Sequence, residues 1–335
     1  MSQPLEYPFL AQLHPGDTFA NGVWRLLNVV CRPNKNGAYV ACQLADSSGV
    51  RSAKVWKVSP EQAEQLKNSP YVQAWGHVDD SANYAWQFIV EEFVPVASVE
   101  DPTRYEMPLP GNHRVHQARF VELVESVRRV ELKALLKHLF NKEADLWPRF
   151  KNAPAAVAMH HNHRGGLLEH SGEVALLCDG VAGALPGVDR DLLVTAALLH
   201  DVGKVEELDC DFDTFAISYS HQGEMVGHVV LGTQIISRAA DAVADFPLRL
   251  RTELTHLILS HHGEPEWGAA RRPMCAEALI LSQCDNLSAK FAACKNGCEG
   301  TGEADFARAQ GWHGQANTPQ NRVYVGRLRE LKPSP

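Results

Sequence analysis

The chain has 335 residues, of which 45% are hydrophobic, and its formal net charge is −8. This length is sufficient for two domains with separate cores. The negative charge excludes a global basic field that would draw the protein to nucleic acid or membranes. No apolar run reaches the length of a membrane span, and the first residues lack a signal-peptide pattern, so we expect a cytoplasmic protein with no membrane partner. The eight cysteines are scattered and expected to be buried thiols, and Cys294 and Cys298 form at most half of a zinc site.

Residues 12–97 contain five β-rich runs separated by turn sequences. The polar segment Ser59–Asn68, which follows the third run, is predicted to be helical. Five short strands with a helix after the third are typical of an OB-type barrel. The run from Ala38 to Trp56 also resembles the strand pair of OB-folds that bind nucleic acids.

Aromatic side chains on the face of such a barrel stack on nucleic-acid bases. The aromatic candidates are Tyr39, Trp56 and Trp86, together with Trp75, Tyr84 and Phe88. About half of them are expected to point into the core. Residues 1–100 contain seven Lys and Arg against ten Asp and Glu. A strong electrostatic hold on phosphates is therefore not expected from this part alone.

Prolines and Gly111 between residues 98 and 112 predict a linker without regular structure. A long amphipathic helical stretch is predicted from His113 to Phe140. Residues 101–165 carry eleven Lys and Arg against seven Asp and Glu, which suits either a substrate path or a solvated helix face. We predict an α+β multidomain protein with an all-β OB-fold barrel (1–97), a linker (98–112) and an all-α bundle with a C-terminal arm (113–335).

Histidines and aspartates recur through the helical part. His200-Asp201 ends an apolar helical run, with Gly203 as the expected stop. Imidazole nitrogens and carboxylate oxygens together suit a borderline-hard divalent metal. The candidate metal ligands are His170, His200, Asp201, His228, His261, His262 and Asp285.

Three further expectations concern the neighbours of these ligands. Ser220 is predicted to cap one helix that carries His221, Glu224 and His228 on a single face. His256 lies elsewhere on its helical wheel and is interpreted as structural or exposed. Asp285 lies on an otherwise apolar stripe, which is costly unless the carboxylate is paired or metal-bound.

Four basic side chains, His160, His161, His163 and Arg164, crowd before the helix that carries His170. They are predicted to contact the phosphate or base of a substrate at the edge of the metal site, and the alternative is a chance surface cluster. Gly165-Gly166 would let the backbone approach a ligand and begin the next helix.

Five segments resemble the HD-domain superfamily of metal-dependent phosphohydrolases: Leu167–Ala175, Leu198–Lys204, Gly223–His228, Ile258–Gly268 and Cys284–Lys290. The resemblance is to its two-metal branch. It implies one ion held by His170, His200 and Asp285, a second held by His228, His261 and His262, and Asp201 as the bridging ligand. Mixed His and Asp ligation suits manganese or iron, with zinc as a third option. Lys204 would neutralise charge on a phosphoryl oxygen as it develops.

An OB-fold joined to an HD domain resembles the YhaM-type 3′–5′ exoribonucleases. The matching residues are Ala153–Ala156, His160-His161, Gly165–His170, Tyr219 and Gly223–His228. The resemblance implies a metal-dependent 3′–5′ exonuclease that degrades single-stranded RNA, or DNA, to nucleoside 5′-monophosphates. Two alternatives remain: a phosphohydrolase acting on a small nucleotide, and a non-catalytic single-strand-binding module with a structural metal site. The sequence leaves the oligomeric state open, and a homo-oligomer is compatible with it.

Overall fold

The computed structural model describes residues 5–34, 37–79, 87–106, 112–141, 143–157, 161–212, 216–299, 306–308 and 322–324. The chain divides into two compact units, with the main boundary after residue 108. Among the described residues, none of the helices combines the length and apolar character that a membrane span requires.

The first unit is a six-stranded sheet with one helix. Its elements are β1 (Leu5–Glu6), β2 (Thr18–Asn34), β3 (Gly37–Asp46), β4 (Gly49–Trp56), α1 (Pro60–Lys67), β5 (Tyr71–Asp79) and β6 (Gln87–Val96). The pairing register of β2 shifts at two places, between Leu27 and Val30 against β3 and between Phe19 and Gly22 against β5. These irregularities allow β2 to bend and to pair with both strands. The strand order β2-β3-β4-β6-β5 returns to β2, with β4 and β6 parallel, and β1 adds to the free side of β2.

This closed strand order, with a helix between the third and fourth barrel strands, confirms the OB-type barrel. Helix α1 begins where the sequence predicts, because the Ser59 hydroxyl accepts the Gln62 N–H and the Gln62 side chain returns to the Ser59 N–H. Leu66 on α1 is fully buried in the barrel core. Three rings fill the centre: Phe19 lies 5.1 Å from Trp24 and 5.6 Å from Phe88 between ring centroids.

The second unit contains ten α-helices among its described residues. They are α2 (His113–Ser126), α3 (Val130–Leu139), α4 (Leu146–Phe150), α5 (Gly166–Ala184), α6 (Arg190–Leu199), α7 (Lys204–Glu207), α8 (His221–Val226), α9 (His228–Asp241), α10 (Leu248–Ser260) and α11 (Ala276–Glu299). Every residue of α6 from Leu192 to Leu199 is buried, so this helix is the centre of the bundle. The α+β fold class with a helical second domain is thus confirmed.

Several short elements are absent from the sequence prediction. Two antiparallel ribbons accompany the helices: β7 (Leu208–Asp211) with β8 (Ala216–Tyr219), and β9 (Phe306–Arg308) with β10 (Arg322–Tyr324). A 3-10 helix (Pro102–Tyr105) lies in the stretch expected to lack regular structure, because Asp101 accepts the Thr103 N–H and caps it. The C-terminal arm lies largely outside the described residues.

The predicted long helix from His113 to Phe140 is broken between α2 and α3. Val127 is fully buried at the break, and Asp191 accepts the backbone N–H groups of Arg128 and Arg129 at 2.8 and 2.7 Å. Burial opposes ionisation, but these hydrogen bonds hold the pKa of Asp191 below its usual range. A carboxylate distant in sequence therefore ends one helix and allows the next to begin.

The prediction of one helix carrying His221, Glu224 and His228 is wrong. Ser220 does cap α8 by accepting the Gly223 N–H at 2.9 Å, but α8 ends at Val226. Gly227 has φ of 78° and ψ of 153°, and α9 begins at His228. This backbone conformation favours glycine and reorients the chain, so His228 lies in the first turn of a separate helix.

Gly203 has a different role from the one expected. Its φ is −65°, so it is not a left-handed helix stop. A Cβ atom at this position would lie 2.0 Å from the His228 carbonyl oxygen. The missing side chain therefore allows the start of α9 to approach the turn after His200-Asp201.

Candidate metal centre

The candidate ligands on three helices and at the ends of two others converge in the described structure. The first ligand group consists of His170 on α5, His200 at the end of α6 and Asp285 on α11, with ligand atoms within 4.8 Å of one another. The His170 Nε2 atom lies 3.1 Å from Asp285 Oδ1 and 3.2 Å from His200 Nε2. All three side chains are buried or nearly so.

The second ligand group consists of His228, His261 and His262, whose ligand atoms also lie within 4.8 Å of one another. The Nε2 atoms of His228 and His261 and the Nδ1 atom of His262 are buried and accept no hydrogen bond within the described structure. Buried polar atoms are normally satisfied. Three imidazole nitrogens turned toward one point without such partners fit a divalent metal ion.

Asp201 lies between the two groups and presents one carboxylate oxygen to each. Its Oδ2 atom is 3.5 Å from His170 Nε2 and 3.3 Å from His200 Nε2. Its Oδ1 atom is 3.4 Å from His228 Nε2 and 3.6 Å from His261 Nε2, and this oxygen lacks a hydrogen-bond donor in the described structure. The arrangement suits a carboxylate that bridges two ions.

Three histidines of the centre have lowered pKa values, whereas Asp201 raises the pKa of His200 although burial opposes this. Burial, opposed by Asp285, lowers the pKa of His170, and burial lowers that of His261. Burial and two neighbouring histidines lower the pKa of His262 to about 3. Neutral imidazole is the form that binds metal.

The carboxylates of the centre are anionic. Burial opposes this, but Lys204 and His200 hold the pKa of Asp201 well below its usual range. The hydrogen bond from His170 does the same for Asp285. The Lys204 ammonium donates to Asp201 Oδ2 at 2.7 Å, and 16% of its side chain stays exposed. Lys204 thus contacts Asp201 directly and remains partly accessible to solvent.

His170, His200 and His261 are each oriented by a partner on the other ring nitrogen, as is common for metal-ligating histidines. The Nδ1 atoms of His200 and His261 lie 2.7 Å from backbone carbonyls one turn earlier, those of Ala197 and Ile258. The Nδ1 atom of His170 lies 3.3 Å from the Ser288 hydroxyl. In each case the Nε2 atom is left facing Asp201.

Glu207 orients His228 and was missed by the sequence analysis. One of its carboxylate oxygens lies 2.8 Å from both the backbone N–H and the Nδ1 atom of His228. Burial opposes ionisation, but His228 holds the pKa of Glu207 below its usual range. In the sequence, only its position three residues after Lys204 could have indicated this role for Glu207. The close approach of Gly203 to the start of α9, which brings Glu207 near His228, is visible only in the structure.

We expect Glu207→Gln to weaken metal binding by about 10- to 100-fold, since outer partners of ligating histidines have effects of this size. The amide retains one acceptor but loses the charge that fixes the His228 tautomer. Competition with a fluorescent chelator measures the affinity. Glu206→Gln, one residue earlier and paired with Arg149, is the control, and equal affinities for all three proteins would contradict the assigned role.

Within the predicted substrate-binding cluster before α5, His161 lies beside the metal centre. His161 is buried, and its ring lies 5.2 Å from that of His170. His163 lies 3.4 Å from Glu169, and Arg164 donates to Asn152 at 3.0 Å. His160 lies outside the described residues.

A third set of potential ligands, His161, Glu169 and Glu173, also lies within 4.8 Å. Each carboxylate already faces histidines: Glu169 faces His116 and His163, and Glu173 faces His161. His163 and its neighbours lower the pKa of Glu169 to about 2 although burial opposes this. The set is therefore explained as an ion-pair network.

The structure describes some of the remaining predicted residues, and others lie outside the described part of the chain. On the barrel, the rings of Tyr39 and Trp56 lie side by side with centroids 4.8 Å apart, Trp75 is half-buried, and Phe88 is a core residue rather than a binding residue. Tyr84 and Trp86 lie outside the described residues, as does the side chain of Cys298. His256 accepts the Met274 N–H at 3.0 Å, which suits the structural interpretation.

Comparison with known proteins gives two findings. The HD-domain family model matches residues 167–290, the range that contains every candidate metal ligand. The chain is also similar to the solution NMR structure of the second OB-fold domain of replication protein A from Methanococcus maripaludis, at 14% identity and a TM-score of 0.23, over 29% of this chain and 100% of that chain. The first unit is assigned as an OB-type barrel from the strand order of its own sheet and not from this similarity. The protein therefore combines an OB-type barrel with an HD domain at residues 167–290.

Proposed function

We propose that this protein is a metal-dependent 3′–5′ exonuclease that hydrolyses single-stranded nucleic acid, preferentially RNA, to nucleoside 5′-monophosphates. The observation that carries the proposal is the placement of Asp201. Its two oxygens face two separate groups of imidazole ligands. In the second group, the buried ring nitrogens of His228, His261 and His262 lack hydrogen-bond partners in the described structure. Exonuclease polarity is taken from the resemblance to the YhaM-type enzymes.

The side chains of the centre divide the work of phosphodiester hydrolysis. His170, His200 and Asp285 would hold one divalent ion, and His228, His261 and His262 the other, with Asp201 shared. Two such ions, manganese being the first choice, would supply Lewis acidity and an activated water for displacement at phosphorus. Lys204 would place its ammonium where a phosphoryl oxygen gains negative charge.

The barrel supplies a surface suited to single strands. Tyr39 on β3 and Trp56 on β4 are direct cross-strand neighbours, and Trp56 keeps 43% of its surface exposed. The Lys54 ammonium lies 5.4 Å from the centre of the Trp56 ring. An aromatic pair beside a cation can stack on bases and contact the backbone without reading sequence. This surface favours a polymer over a small nucleotide as the substrate.

We expect Trp56→Ala to weaken binding of a short oligoribonucleotide by about 1–3 kcal/mol, the loss of one base–aromatic stack. Fluorescence anisotropy with a labelled strand measures this, in the presence of a chelator so that no hydrolysis occurs. The control is Val94→Ala, which removes another exposed apolar side chain of the barrel unit. Equal affinity of Trp56→Ala and the parent would remove the aromatic pair from the proposed binding surface.

Strands labelled at the 5′ end test the proposed activity. Single-stranded RNA and DNA of one sequence are incubated with the protein and manganese, and parallel samples contain a chelator. The proposal predicts a ladder that shortens from the 3′ end and releases 5′-monophosphates, with RNA cut faster. A strand blocked by a 3′-phosphate should resist.

The two alternatives give different results. Hydrolysis of free nucleotides without any ladder would identify a small-nucleotide phosphohydrolase. No hydrolysis of any phosphodiester or nucleotide with manganese, iron or zinc would leave a non-catalytic module with a structural metal site.

A further inference from the structure

A mainly apolar cavity of about 440 Å³ lies between α5 and α11. Its lining consists of Glu173, Leu176, Leu177, Leu287, Ser288 and Phe291. Leu287 and Phe291 keep 55% and 50% of their surface exposed, so the cavity is open to solvent. Its volume falls within the range of ligand pockets, roughly 300–1,000 Å³.

The cavity begins directly behind the first ligand group. Glu173 and Ser288 each follow a metal-ligand candidate, His170 and Asp285, by three residues on their helices, which is close to one turn. The Ser288 hydroxyl lies 3.3 Å from His170 Nδ1 and donates to Glu173 Oε2 at 3.2 Å. A group bound in the cavity therefore lies one helical turn from the metal centre.

The chemistry of the lining selects a neutral flat ring. It includes one carboxylate and no cation, so it disfavours a phosphate group. The Phe291 ring and the leucines offer apolar surface on which a planar group can stack. The Glu173 carboxylate faces His161 and accepts the Ser288 hydroxyl at Oε2. A carboxylate has several acceptor positions, so Glu173 can also accept a hydrogen bond from an amino group at the edge of that ring, as carboxylates do with the amino group of cytosine.

We infer that this cavity is a base subsite, and that it takes a nucleobase with an exocyclic amino group, such as adenine. The inference deepens the proposed function and rests on it, because the metal centre would act on the phosphate of the same nucleotide. The base lies against Phe291 and donates its amino N–H to Glu173. Uracil has a carbonyl oxygen in place of the amino group, and that oxygen repels the carboxylate.

Steady-state kinetics of Phe291→Ala test the subsite on three strands: oligoadenylate, oligouridylate, and oligoadenylate ending in an abasic residue. The parent should have the lowest KM for oligoadenylate. Phe291→Ala should raise that KM by roughly tenfold to a hundredfold, the effect of losing one stack, with kcat little changed. The KM for the abasic strand should stay the same. Leu279→Ala, at another exposed leucine of α11, is the control and should match the parent.

Two results would overturn the subsite: an unchanged KM of Phe291→Ala for oligoadenylate, or an equal rise for the adenylate and abasic strands. Failure of the proposed function is a separate outcome, in which the parent hydrolyses no strand. Calorimetric titration with adenosine then decides: binding that Phe291→Ala weakens supports the subsite, and no binding to the parent overturns it.

Discussion

Asp201→Asn should remove most of the bound metal and reduce phosphodiester hydrolysis by about a thousandfold or more. A single preorganised electrostatic contact is already worth about 100- to 1,000-fold, and Asp201 serves both ligand groups. The amide has one acceptor oxygen and cannot offer an anionic oxygen to each side. Elemental analysis after dialysis measures the metal, and initial rates on oligoadenylate measure the activity.

The control for this change is Asp209→Asn, which makes the same substitution at an exposed position on β7. The charge loss at Asp201 also leaves Lys204 without its partner at 2.7 Å. Thermal unfolding of both variants therefore has to accompany the rates, because breaking a buried ion pair destabilises proteins by about 3–5 kcal/mol. A folded Asp201→Asn protein with full metal content and parental rates would contradict the bridging role.

Lys204→Ala should lose most of its rate and keep its metal. A protonated ammonium cannot ligate an ion, so its removal leaves both ligand groups intact. Asp201 raises the pKa of Lys204 although burial opposes this, which keeps the side chain charged. A group that acts on the transition state alone lowers kcat and kcat/KM together. We expect a fall of about 100- to 1,000-fold in both, with unchanged oligonucleotide affinity.

Lys137→Ala, at an exposed lysine of α3, is the matched control. The contact between Lys204 and Asp201 allows a second explanation, in which the ammonium only balances the bridging carboxylate. In that case Lys204→Ala would change metal affinity rather than the rate at saturating metal. Parental kcat with saturating manganese would therefore remove Lys204 from the chemistry.

The parts of the fold that depend on local sequence could be predicted. The barrel strands follow β-rich runs, and α1 begins at its Ser59 cap because the capping residues are three positions apart. The candidate ligands could be selected from the sequence because the chemistry allows few residue types and because His200-Asp201 ends a long apolar helix. Each of these signals lies within a few residues of the feature that it predicts.

The missed features depend on contacts between distant residues. Asp191 divides α2 from α3 across more than sixty positions, as its hydrogen bonds to Arg128 and Arg129 show. Ser288 meets His170 from a helix 118 residues later. Gly203 looked like a helix stop because its neighbour in space, the His228 carbonyl, is not visible in the sequence. Periodicity cannot show such pairs, since no short repeat encodes them.

Asp201 is proposed to join two ion-binding groups in one centre. Anomalous diffraction at the manganese edge, from crystals of the 335-residue protein grown with manganese, is the decisive measurement. We expect two anomalous peaks about 3.5–4 Å apart, one beside each ligand group, with Asp201 between them. A single peak at saturating manganese, or peaks away from Asp201, would contradict this proposal.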